Sequence, residues 1–163
     1  MAKVFLICGK ICSGKSTYAE QLRVKNKAAI LLSVDEIMLS IFGKYVGERH
    51  DEYCENVQKY LFNKSLELSE IGVNVIFDWG FWQKNEREFA KEFYKSRDIE
   101  CELHYLDIID ELWKKRIEKR NNAVLAGDAN TYYIDEGLAR KFAAMFEPPS
   151  AHEIDFLIKG DEQ

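Results

Sequence analysis

The sequence predicts an α/β fold, a five-stranded parallel sheet flanked by helices on both faces. Three observations lead there. Short apolar runs alternate with helix-compatible runs along the chain. Several of these runs, Val73–Asp78 among them, are largely apolar, as suits strands buried on both faces. With 163 residues, 47% hydrophobic and 31% charged, the chain has the size and balance of one globular domain with a real core.

The elements follow in order. Val4–Cys8 is an unbroken apolar run and the first strand. A helix is expected over Ser16–Asn26, then a strand over Ala28–Val34 and a helix over Asp35–Phe42. A long helix over Asp51–Ile71 leads to the strand Val73–Asp78, and a helix over Lys84–Ser96 leads to the strand Glu100–Asp107. Helices over Asp110–Ala126 and Asp135–Phe146 come next, the second stopped by Pro148-Pro149. The weakest strand, Asp155–Lys159, comes last. No repeat or linker interrupts the pattern, so residues 1–163 read as a single domain. Strand–helix alternation with right-handed crossovers leaves few topologies.

Residues 9 to 17, GKICSGKST, fit the pattern G-x-x-x-x-G-K-[ST], with Gly9, Gly14, Lys15 and Ser16 in register. The run lies between a strand and a helix, the context that the pattern requires. Gly9, Lys10, Ile11, Cys12, Ser13, Gly14, Lys15, Ser16 and Thr17 are thus the candidate nucleotide phosphate site. Glycines let successive N–H groups turn into one hollow, and the helix start adds its unpaired N–H groups. Lys15 suits the β- and γ-phosphates, and the Ser16 hydroxyl suits Mg²⁺.

In such sheets ligands bind beyond the carboxyl ends of the strands. The phosphate loop, Ser33-Val34-Asp35, Asp78-Trp79-Gly80 and Leu106-Asp107 should therefore face one crevice. Asp35 has two readings, a base for an attacking hydroxyl or a helix N-cap. Asp78 closes an apolar strand and is the second candidate Mg²⁺ ligand beside Ser16. Trp79, Phe81 and Trp82 either grip an acceptor or pin the loop to the core. Arg87 either reaches an acceptor anion or is a solvated helix charge. Arg116 and Arg120 lie four apart on one helical face, placed to stabilise phosphoryl charge or to pair with Glu118 or Glu111. Asn121-Asn122 and Gly127 permit a mobile segment beyond them.

Other classes are disfavoured. Net charge is −5, which argues against tight non-specific nucleic-acid binding. No apolar stretch reaches a membrane span, and Met1-Ala2-Lys3 before a short strand is no signal peptide. Cys8, Cys12, Cys54 and Cys101 form no C-x-x-C pair, which fits reduced thiols and a cytoplasmic location. His50, His104 and His152 have no metal spacing.

With these pieces placed, the chain resembles the small P-loop kinases (AAA_33-like kinases) related to the kinase domain of bacteriophage polynucleotide kinase, zeta toxin and chloramphenicol phosphotransferase. Four stretches carry the resemblance: GKICSGKST, LLSVDEIM, VNVIFDWGFWQKNER and YLDIIDELWKKRIEKRN. It implies a P-loop NTPase fold, Asp35 as general base, and Arg116 and Arg120 in a lid over the phosphates. It further implies a kinase that uses ATP and Mg²⁺ to phosphorylate a hydroxyl. Where the polynucleotide kinase has an arginine three residues after the aspartate, this chain has Met38. A small-molecule acceptor is therefore expected, ahead of a polynucleotide 5′-hydroxyl or a non-catalytic ATP-binding role. Oligomeric state is not legible.

Overall fold

The computed structural model of the protein describes residues 2–43, 46–127 and 131–160. Five strands, β1 (Lys3–Cys8), β2 (Ala29–Leu32), β3 (Asn74–Gly80), β4 (Glu100–Asp107) and β5 (Phe156–Lys159), form one sheet in the order β2-β3-β1-β4-β5. Every pairing is parallel. The helices are α1 (Lys15–Lys25), α2 (Val34–Phe42), α3 (His50–Glu70), α4 (Lys84–Lys95), α5 (Asp110–Ala126) and α6 (Glu136–Met145). The expected α/β architecture is the observed one, and β1 sits at its centre.

The period of two along β1 divides the core. Val4, Leu6 and Cys8 join Val75, Phe77 and Leu103 on one face, under Met38 of α2, Leu61 and Phe62 of α3, and Ala90 and Tyr94 of α4. Phe5 and Ile7 join Ile76 and Leu106 on the other face, against Ala19 of α1. A third cluster, Ile108, Trp113, Ile117 and Ile134, packs α5 and α6 onto Ile11 and Cys12 of the phosphate loop. Register carries the pattern across strands, with Leu6 opposite both Phe77 and Leu103.

Element ends differ from expectation for local reasons. β2 stops at Leu32 because Ser33 turns out to cap α2, its hydroxyl accepting from the Glu36 N–H at 3.3 Å. β3 runs two residues past Asp78 because Gly80 pairs with Cys8 across a bulge. The α5 helix, by contrast, has the expected bounds, Asp110–Ala126, and runs unbroken through Asn121-Asn122. Asn121 is buried and holds Ile134 at both ends, donating to its carbonyl at 2.7 Å and accepting from its N–H at 2.8 Å. Gly127 ends the helix in the left-handed region, φ 78°, as a C-cap. Residues 128–130 of the segment expected to be mobile lie outside the described residues.

Arg87, a candidate acceptor contact in the sequence, is turned into the protein and is 1% exposed. Its Nη1 donates to the carbonyls of Phe81, Trp82 and Glu147, and its Nε donates to Glu153 at 2.8 Å. It thus ties the end of β3 to the chain that follows α6. Burial raises the Glu153 carboxyl, but hydrogen bonds from Arg87 and Ser150 outweigh it and hold the group down at about 2.

This depression predicts a pH signature. Stability from the pair is fully present above the ordinary glutamate range near 4.5 and is lost as pH falls through about 2. Glu153→Gln should cost about 3 kcal/mol at neutral pH and progressively less below pH ~4.5. Urea unfolding of both proteins across that range measures it. A difference that stays constant with pH would exclude the linkage.

Candidate active site

The phosphate loop begins where β1 ends. Gly9 is required by space, since a Cβ there would meet Ser13 Oγ at 2.6 Å and the Leu106 carbonyl at 3.0 Å. Gly14 is required by conformation, with φ 97° at the entry to α1. No side chain caps that helix, so its first N–H groups remain open to a ligand. The loop's carbonyls are tied down by side chains from elsewhere. Trp82 Nε1 donates to Gly9 O at 3.0 Å, and Lys15 Nζ donates to Lys10 O at 2.7 Å. Trp113 Nε1 donates to Ile11 O at 2.7 Å, and Arg116 Nη1 donates to Ser13 O at 2.7 Å.

Arg120 supports an anion here, because it lines the cleft and its Nε is buried with no hydrogen-bond partner. An uncapped helix start, a glycine-walled hollow and an unpaired guanidinium N–H suit phosphate oxygens. No three His, Cys, Asp or Glu side chains gather as a metal cage among the described residues. Ser16 and the Asp78 carboxyl are hydrogen-bonded to each other, a pair of oxygens that suits Mg²⁺, which completes its shell from phosphates and water.

Lys15, Ser16, Asp35 and Asp78 line one cleft of about 880 Å³. Asp78 is 7% exposed at the end of β3. Burial is the main influence on both charged groups of its pair. It pushes the Asp78 carboxyl up, against the pull of Ser16 and Lys15. It pushes the Lys15 ammonium down, against the attraction of Asp78. Asp35 lies in the first turn of α2, exposed to the cleft, while Ser33 takes the capping position. The N-cap reading of Asp35 is therefore corrected.

The aromatic cluster divides. Trp79 and Trp82 line the cleft, whereas Phe81 is 1% exposed and does not. Phe81 stacks on Trp79, with centroids 5.0 Å apart, and its carbonyl accepts from Arg87 and Cys8. Trp82 anchors the loop through Gly9 and meets Phe142 of α6 edge-on. Gly80 makes room for it, since a Cβ would lie 2.6 Å from Trp82 Nε1.

The arginine pair also divides. Arg116 braces the loop from behind, between the Ser13 carbonyl and the Gly160 carbonyl at 2.6 Å, and does not line the cleft. Arg120 lines the cleft, bonded to Thr131 and lying over the Tyr132 ring at 4.9 Å. Its Nη1 also meets Cys12 Sγ at 3.7 Å. Sequence reasoning missed Trp113 as a loop anchor. The signal was present, because Trp113, Arg116 and Arg120 follow the i, i+3, i+7 spacing of one helical face.

A family model described as AAA domain (AAA_33) matches residues 4–149. No individual curated protein matches the chain in sequence. Solved structures share the fold. A provisionally named kinase from Chloroflexus aurantiacus J-10-fl superposes with a TM-score of 0.73 at 14% identity, over 97% of this chain and 86% of that one. A chain of the Pnkp1/Rnl/Hen1 RNA repair complex gives 0.71 at 19% identity, over 88% of this chain and 43% of that one. The APS kinase CysC of Mycobacterium tuberculosis, solved with AMPPNP and APS, gives 0.67 at 17% identity, over 99% and 90%. At these identities the likeness establishes the fold, an α/β P-loop domain.

Trp113→Phe keeps a ring against Ile117 and Ile134 but leaves the Ile11 carbonyl without its donor. It should cost about 1–3 kcal/mol in urea unfolding and weaken nucleotide binding. Unchanged stability together with unchanged nucleotide affinity would show that the indole N–H does not hold the loop.

Proposed function

We propose, given that the chain belongs to the AAA_33 family of AAA domains, that it is an ATP-dependent kinase transferring the γ-phosphoryl group to a hydroxyl of a small-molecule acceptor. One observation carries this reading. The phosphate-side groups Lys15, Ser16 and Asp78 open into the same cleft as the carboxylate of Asp35. A site that only held nucleotide would have no use for a carboxylate across the cleft from the phosphates. We take residues 1–163 as one kinase domain.

Catalysis in this reading is positioning plus charge stabilisation. The loop and the start of α1 hold the phosphates through N–H groups. Lys15 Nζ exchanges the Lys10 carbonyl for a phosphate oxygen. Ser16 and Asp78 would hold Mg²⁺, which when bound neutralises charge on the β- and γ-phosphate oxygens. Asp35 takes the proton of the acceptor hydroxyl as its oxygen bonds to the γ-phosphorus. The bond from that phosphorus to the bridging oxygen breaks, and ADP leaves. Arg120 turns its unpaired Nε–H toward the charge that develops. Arg116 works at one remove, by fixing the loop.

A polynucleotide acceptor finds less support. Met38, buried and apolar, lines the cleft three residues beyond Asp35, where a phosphodiester would want a cation.

Two variants test the proposal. Lys15→Ala should lower Mg-ATP affinity by the ~1.5–3 kcal/mol of a charge-assisted bond and abolish transfer. Calorimetry that finds wild-type affinity in the folded variant would remove the site assignment. Asp35→Asn should bind Mg-ATP normally and turn over about 10²–10⁴-fold more slowly. Because Ser33 already caps α2, its melting temperature should hardly move. Wild-type turnover on the labelled acceptor would remove Asp35 from the chemistry.

A further inference from the structure

Arg120 is gripped by a short stretch of chain beyond α5. Its Nη2 donates to the Thr131 hydroxyl, its Nη1 meets Cys12 Sγ at 3.7 Å, and the guanidinium lies over the Tyr132 ring at 4.9 Å. Nε is left buried and without a partner. Arg120, Cys12, Thr131 and Tyr132 all line the cleft. A guanidinium held at its far end from several sides keeps its fork in one orientation.

The gripping stretch is itself anchored on both sides. Asn121, next to Arg120 on α5, holds Ile134 by hydrogen bonds of 2.7 and 2.8 Å, and Ile134 is buried with Trp113 and Ile117. From α6, Phe142 lies 6.5 Å from the Tyr132 ring. Trp82, which holds the Gly9 carbonyl, meets Phe142 at 5.3 Å. A run of rings thus leads from the start of the phosphate loop to Arg120, whose Nη1 returns to the loop at Cys12. Tyr132 is 47% exposed, so core burial does not account for its place over the guanidinium.

We propose that Thr131 and Tyr132 are positioning residues, which hold Arg120 so that its Nε–H reaches the γ-phosphoryl group of bound ATP. The inference rests on the kinase reading and gives its charge-stabilising arginine two supports. The ring face attracts the cation, and the hydroxyl fixes one edge of the fork. Held in advance, the side chain loses less freedom when the phosphate arrives.

Calorimetry with Mg-AMPPNP and Mg-ADP tests this, because the ratio of the two affinities reads contacts to the γ-group. Arg120→Gln should cut the ratio about tenfold by weakening Mg-AMPPNP. Tyr132→Leu and, separately, Thr131→Val should each cut it about threefold and leave Mg-ADP within about twofold of wild type. Tyr132→Phe keeps the ring and should restore most of the ratio. Added to Arg120→Gln, Tyr132→Leu should change the ratio no further, since no guanidinium remains to be held. Equal weakening of both nucleotides by Tyr132→Leu would make the ring a general wall of the nucleotide site and overturn the proposal. An unchanged ratio in Arg120→Gln, Tyr132→Leu or Thr131→Val would overturn it too. So would a loss in Tyr132→Phe as large as in Tyr132→Leu, or additive losses in the double variant. Failure of the folded wild-type protein to bind Mg-AMPPNP would instead remove the kinase reading on which the proposal stands.

Discussion

A loop that offers its N–H groups to an anion must send its carbonyls elsewhere, and in a partly buried setting each carbonyl needs a donor. Here the donors are side chains from distant elements. Trp82 reaches Gly9 from the end of β3, and Trp113 and Arg116 reach Ile11 and Ser13 from α5. Lys15 closes on Lys10 from inside the loop. The shape of the phosphate site thus depends on β3 and α5 being in place. The third hydrophobic cluster, with Ile11 and Cys12 packed against α5 and α6, belongs to the same construction.

The rest of the cleft is built outward from that loop. The parallel sheet delivers Gly9, Ser33 and Asp78 to one edge, because parallel strands all end on the same side. Asp78 sits beside Lys15 in low dielectric, where burial works against both charges. Such a pair gains from an arriving phosphate and cation, which supply the partners that burial has withheld from water. On the far side the α3 face brings Asp51 and Glu55 to the cleft, the second paired with Lys59 one turn on.

Residues that looked functional by type have been divided by their surroundings. Phe81 and Arg87 are consumed in holding the end of β3, one by stacking and one by four hydrogen bonds. Trp82 serves the cleft wall and the loop at once. Arg116 and Arg120 share a helical face, yet one lies behind the loop and the other opens into the cleft.

The sequence by itself determined the sheet, its parallel order of elements, the phosphate loop and the expectation that Asp35 and Asp78 share a crevice. These follow from local signals: short continuous apolar runs, helical runs between them, and glycines at fixed spacing before a lysine and a serine. Only the tertiary structure decided that Ser33 rather than Asp35 caps α2, that Arg87 points inward, and that Trp113 anchors the loop. The first depends on where β2 releases the chain, to within a residue or two. The other two depend on partners far away in sequence. Arg87 meets Glu153 66 residues on, Trp113 meets Ile11 102 residues back, and Arg116 meets Ser13 103 residues back. A side chain's spacing fixes the helical face it occupies, but which carbonyl or carboxylate waits opposite that face is set by how the elements pack.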